Sequence, residues 1–206
     1  MATKPETPAP PVPAPEEAGG DGRHRRGERS RKRIVAAMFR LVRAGEVHPG
    51  AAQVAEAAQV SLRTVFRHFD EMDSLYREMT RLMEAEVLPI VGAPFTAPDW
   101  RGRLSELVAR RSSIYERIMP LKVAAGVRRF QSAYLMADHR RFLALERDGL
   151  KDVLPKAVVA RAVLFSALEA ALGFQSWRRI RQDQGLSPEE AEQVLHFTVA
   201  RLIDGV

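Results

Sequence analysis

VAEAAQVSLRTVFRHF, residues 54–69, is the most informative stretch of the chain. It reads as a short helix, a three-residue break and a second short helix, the helix-turn-helix plan. Small Ala55 and Ala58 permit close approach of the two helices. Val54, Val60, Val65, Phe66 and Phe69 are the apolar residues available to set their crossing angle. Arg63, Thr64, Arg67 and His68 are the polar groups of the second helix, and part of that set must turn outward. Such a face suits a major groove, and it equally suits a solvated helical hairpin.

Working outward, the pattern stays helical. Upstream, Ile34, Val35, Met38, Leu41 and Val42 recur at spacings of three and four, which predicts a helix over residues 30–43 closed by Gly45 and Pro49. Gly50 is the N-cap of the next helix, 51–58, with Gln53 placed to reach back to it. Ser61 caps a helix to about residue 68, and Asp70 caps one to about 88, where Pro89 and Gly92 stop it. Further helices are expected over 99–118 (ended by Pro120), 121–129, 131–153 (ended by Pro155) and 156–183. Ser187-Pro188-Glu189-Glu190 is a capping box that opens the last helix, to about residue 203. No run alternates long enough for a strand. The expectation is an all-α chain of about nine helices.

Composition and charge narrow the function. Hydrophobic residues are 46% of 206, enough to bury a core, and there is no cysteine. Thiol catalysis, disulfide frameworks and cysteine-ligated metals are therefore excluded. Six of 13 prolines crowd between Pro5 and Pro15, so residues 1–22 are expected to be a disordered Pro/Ala-rich tail. Between Arg23 and Arg33 seven basic residues face Glu28 alone, a local charge equal to the +6 of the whole chain. Such a cluster suits a polyanion, or a solvated basic tail. There is no membrane-spanning apolar run and no secretory signal in residues 1–17, so no membrane partner and a cytoplasmic location are expected. P-loop, dinucleotide, H-E-x-x-H and G-x-S-x-G motifs are absent. The five histidines are scattered, and neighbours such as Asp138 and His139 point apart on a helix. No enzyme activity, cofactor or metal is expected.

Val54, Ala55, Ala58, Val60, Ser61, Thr64, Val65, Phe66, His68 and Phe69, followed by Leu75 and Tyr76, resemble the signature of the TetR family of transcriptional regulators. The resemblance covers residues 30–80, including the basic first helix. Three positions depart from it. Gln59 stands where the family has a turn glycine, Phe66 replaces a frequent tyrosine, and Met72 replaces a frequent lysine. The basic arm is expected to compensate for the lost phosphate contacts.

The resemblance implies a three-helix DNA-binding domain over residues 23–77 and a helical ligand-binding and dimerisation domain over 78–206. It implies a homodimer formed through the last two helices, a small-molecule effector and double-stranded DNA as partner. The most favoured function is a dimeric repressor released from a palindromic operator by its ligand. The alternatives are an activator of the same fold, or a helical ligand-binding or interaction protein without sequence-specific DNA binding. Phosphate contacts are assigned to Ser61, His68, Arg29, Arg31, Lys32 and Arg33, and base readout to Arg63, Thr64 and Arg67, with Phe66 on the same helix. Thr64 has a second reading as an intrahelical bond to a carbonyl. Pocket candidates by composition and position are Met79, Met83, Trp100 and Tyr115, then Phe130, Tyr134, Phe165 and Trp177. Each also reads as plain core. Glu169 stands out as a carboxylate in the most apolar helix, to meet ligand, partner or solvent.

Overall fold

The computed structural model describes residues 19–206, with side chains from Arg25 onward. The tail expected over 1–22 lies outside the described residues as far as residue 18, and residues 19–22 belong to the first helix. Ten α-helices follow one another with no strand among the described residues: α1 Gly19–Arg43, α2 Ala51–Ala58, α3 Leu62–His68, α4 Met72–Val91, α5 Trp100–Arg128, α6 Ala133–Val153, α7 Lys156–Val159, α8 Ala162–Ala171, α9 Phe174–Arg178 and α10 Pro188–Leu202.

The first four helices build a small core. α1 packs on α2, α3 and α4, and Ile34, Met38, Val54, Val65, Phe69 and Leu75 are buried between them. The helix ends follow their cap chemistry. Gly50 N–H donates to Gln53 Oε1 at 2.9 Å, and Ser61 Oγ accepts from Thr64 N–H at 3.1 Å. α4 is capped at Glu71 rather than Asp70, with no side-chain cap bond. α1 starts at Gly19, about four turns before the periodic apolar run that begins at Ile34. No proline follows Pro15 there, and once the buried segment is helical, adding arginines to it is inexpensive.

α5 is the central helix of the remainder, in contact with α1, α4, α6, α9 and α10. Its length corrects the expectation of a stop at Pro120: it runs through that proline to Arg128. The cost of one missing intrahelical bond is about 3 kcal/mol. Burial of Ile118, Met119, Leu121 and Ala124 on either side opposes it. Pro89 likewise falls inside α4. The opposite correction applies to 156–183, which is three helices and a π-turn, Arg179–Asp183. The break at Leu172–Gly173 has a visible cause. The Leu172 carbonyl accepts from Arg111 Nη1 at 3.0 Å and from the Tyr115 hydroxyl at 2.9 Å. α5 thus draws that carbonyl to itself, and Gly173 turns extended to cap α9. At the end of the chain Ser187 and Glu190 form the expected capping box, with bonds of 3.1 and 2.8 Å.

Candidate functional site

The α2–α3 turn rests on Gln59, whose φ of 52° makes it the only non-glycine in the left-handed region among the described residues. That conformation lets Gln59 N–H donate to Glu56 O and Val60 N–H to Ala55 O, at 2.9 and 3.0 Å. Two arginines of α1 close the end of α2. Arg33 Nη2 donates to Ala58 O at 2.6 Å and Gln59 O at 2.9 Å. Arg40 Nη2 donates to Ala57 O at 2.7 Å. Cations at the carbonyl end of a helix satisfy its open acceptors and oppose its dipole.

The exposed face of α3 is built from Leu62, Arg63, Phe66 and Arg67. Phe66 is 46% exposed, so it does not set the helix crossing; Val65 and Phe69 do so from the other side. A seven-residue helix shows each face for about two turns, and Phe66 falls on the one opposite the core. Thr64 is half-buried, and its hydroxyl pairs with Ser61 Oγ at 2.9 Å, so it completes the cap instead of bonding a carbonyl. Arg63 and Arg67 have no ion-pair partner among the described residues and are presented outward.

The arm divides. Arg29 and Lys32 are exposed. Arg31, half-buried, and Arg33, itself exposed, use their guanidinium groups to hold the motif together. Arg31 Nη1 donates to His68 O at 3.2 Å, its Nη2 meets Glu78 Oε2 at 3.3 Å, and the guanidinium lies 4.6 Å from the Phe69 ring centroid. His68 is turned in. Its Nε2 is enclosed and has no hydrogen-bond partner among the described residues. Burial, then the Arg67 and Arg31 charges, hold its imidazole below the ordinary histidine range. A neutral, enclosed imidazole is poorly suited to the phosphate contact expected of it.

A second site lies behind this face. α4 carries Leu75, Tyr76 and Met79 into the first core and, a turn later, Met83 and Val87 to a cavity of about 330 Å³ between α4, α5 and α6. An adjoining cavity of about 250 Å³ shares Lys122, Ala125, Asp138, Phe142 and Glu146 with it. Of the eight expected pocket residues, Met83 and Tyr115 line the larger cavity, and Trp177 lines another of about 320 Å³ beside α10. Met79 and Phe165 are core. Trp100 and Tyr134 are half-buried beside arginines, Arg101 at 4.5 Å and Arg77 at 4.2 Å from the ring centroids. Phe130 is 73% exposed in the 3₁₀ turn after α5. Aromatic character alone cannot separate a core position from a lining one.

Of the polar lining, the sequence singles out Glu169 alone as a carboxylate that could meet a ligand. Arg111 is 6% exposed and donates to the Leu172 and Glu146 carbonyls. Glu146 Oε1 accepts from the Tyr115 hydroxyl and from Phe174 N–H at 2.9 Å. Burial raises its carboxyl above the ordinary range, against the bonds from Tyr115 and Phe174 and the Arg111 and Lys122 charges. Asp138 pairs with Lys122 at 3.1 Å and Arg141 at 2.8 Å. Burial pushes its carboxyl up, but those two cations reverse this and leave it low. Glu169 pairs with Arg147. A signal for Arg111 was present: it falls on the apolar stripe of α5 with Leu104, Leu107, Val108 and Tyr115, where a charge needs a buried partner.

The fold is shared with a solved protein. A transcriptional regulator from Rhodococcus sp. Rha1 superposes with a TM-score of 0.64 at 21% identity, over 85% of this chain and 96% of that one. No family model matches the chain, and no curated protein does. Among the described residues there is no group of three or more potential metal ligands, and no helix is long and apolar enough to cross a membrane.

Proposed function

We propose that the chain is a sequence-specific DNA-binding transcriptional regulator of the TetR type, a dimeric repressor released from a palindromic operator by a small molecule. The observation that carries this reading is the face of α3. Arg63 and Arg67 stand outward on a short helix whose inner side packs on α1 and α2 and whose last carbonyl is held by Arg31. Arginine pairs bidentately with guanine, at about 1–3 kcal/mol of discrimination per good pair. Exposed Phe66 offers an apolar contact to a thymine methyl. Exposed Arg29 and Lys32, with the amino end of α3 at Ser61, supply phosphate contacts. The fold shared with the Rhodococcus regulator supports the class.

The domains assigned are 23–77 for DNA and 78–206 for ligand and dimer. α4 supports a coupling between them, because one rigid helix contributes both to the reading-head core and to the cavity wall. A ligand that binds the cavity in one α4 position in preference to another shifts the spacing of two reading heads. The test is selection of bound duplexes from random DNA at two salt concentrations. A palindromic consensus with steep salt dependence is expected, weakened by Arg63→Ala and Arg67→Ala by roughly tenfold or more each. Salt-sensitive binding without a consensus would instead favour a helical ligand-binding protein with a basic arm.

A further inference from the structure

We infer that the cavity between α4, α5 and α6 takes an apolar molecule bearing one cationic amine, with Glu146 as the anchor for the charge. This deepens the ligand part of the function proposed above and rests on it. The walls are largely apolar, formed by side chains such as Met83, Val87, Ile114 and Leu145, and the volume of about 330 Å³ lies at the small end of ligand sites. Glu146 lines both this cavity and its smaller neighbour, so its carboxylate stands where the two meet.

The pairing pattern selects the charge of the ligand. Every cation of the lining already has acceptors. Lys122 and Arg141 are held by Asp138, and Arg141 also by Glu84. Arg110 is turned to the Val91 and Pro94 carbonyls and to the Phe95 ring. Arg111 is occupied by the Leu172 and Glu146 carbonyls. An anion entering here would compete with these bonds. Among the carboxylates, Glu84 and Asp138 are ion-paired, and Asp152 is exposed. Glu146 is the half-buried one whose direct donors, the Tyr115 hydroxyl and Phe174 N–H, are both neutral. Its Oε1 takes both, which leaves Oε2 for a ligand. A bond from an ammonium to a carboxylate in such surroundings is stronger than one between neutral groups.

The experiment is titration calorimetry of the full chain, without DNA, using decylamine, decanol and decanoate below their solubility or micellar limits at neutral pH. Each probe is a ten-carbon chain, and the head groups carry a positive, a neutral and a negative charge. Decylamine is expected to bind about tenfold or more tighter than either of the others. Glu146→Gln, which keeps an acceptor for Tyr115 and Phe174, should bring decylamine and decanol to within about twofold of each other. Glu84→Gln should leave the preference in place. Decanoate binding as well as decylamine, an amine preference that survives in Glu146→Gln, or no binding of any probe would each overturn the inference. The wild-type ranking needs no variant, so a variant that misfolds does not shelter the idea. Amine binding without an operator consensus would remove the DNA reading alone, and a consensus without amine binding would remove this inference alone.

Discussion

Gln59 sits in the left-handed conformation at the turn between α2 and α3. For a residue with a Cβ this costs about 1 kcal/mol relative to glycine. Gln59→Gly is therefore expected to raise the melting temperature by about 2–4 °C, read by circular dichroism. A fall would show that the Gln59 side chain contributes more than its backbone costs. Glu146 gives the second residue-scale expectation. Its carboxyl is raised by burial, so the folded state holds the proton more tightly than the unfolded chain does. The stability tied to that proton is complete below the unfolded value and is lost as pH rises through the folded value. Glu146→Gln escapes that loss. Its melting temperature relative to wild type should increase from acid to neutral pH, and a difference that is flat with pH would contradict the assignment.

At the scale of elements, α1 holds two kinds of basic residue that look alike in sequence. Arg33 and Arg40 tie off the carbonyl end of α2, and Arg31 clamps the end of α3, while Arg29 and Lys32 make no such bond among the described residues. The two kinds should separate in measurement. Arg33→Ala should lower stability by about 1 kcal/mol, because two helix-end carbonyls lose a charged donor at a partly exposed site. Lys32→Ala and Arg29→Ala should leave the melting temperature unchanged and reduce the salt slope of DNA binding by about one each. If all three lower the melting temperature alike, the division is wrong.

At the scale of the whole molecule, α8 and α10 pack on each other and leave apolar side chains in the open, Val163 at 86% and Phe197 at 64% exposure. Exposed apolar groups on neighbouring helices are the material of a homodimer interface. Val163→Glu and Phe197→Glu are expected to convert a dimer to the mass of one chain in sedimentation equilibrium, with the helical content unchanged. Wild-type protein sedimenting as a monomer at working concentration would remove the dimer from the proposal. In the proposed regulator the lever for a ligand is the pair α4 and α5, since both reach from the first core to the cavity.

Much of this was legible in the residues alone. Period and caps are local, so residues 30–43 of α1, helices α2 and α3, the Ser61 cap and the closing capping box could be read before any packing was known, whereas the start of α1 at Gly19 could not. The all-α class followed from the same signals. Other features belong to partners far apart in sequence. Pro120 did not end α5, because buried neighbours on both sides outweigh one lost bond. The apolar run 156–183 did not stay one helix, because Arg111 and Tyr115, some sixty residues earlier, take the Leu172 carbonyl. The arginines of the arm have equal local merit, and only the placement of α2 and α3 decides which of them become caps. The cavity is likewise invisible in sequence. Whether Met79 or Met83 lines it depends on the crossing of α4, α5 and α6, which one helix cannot encode by itself.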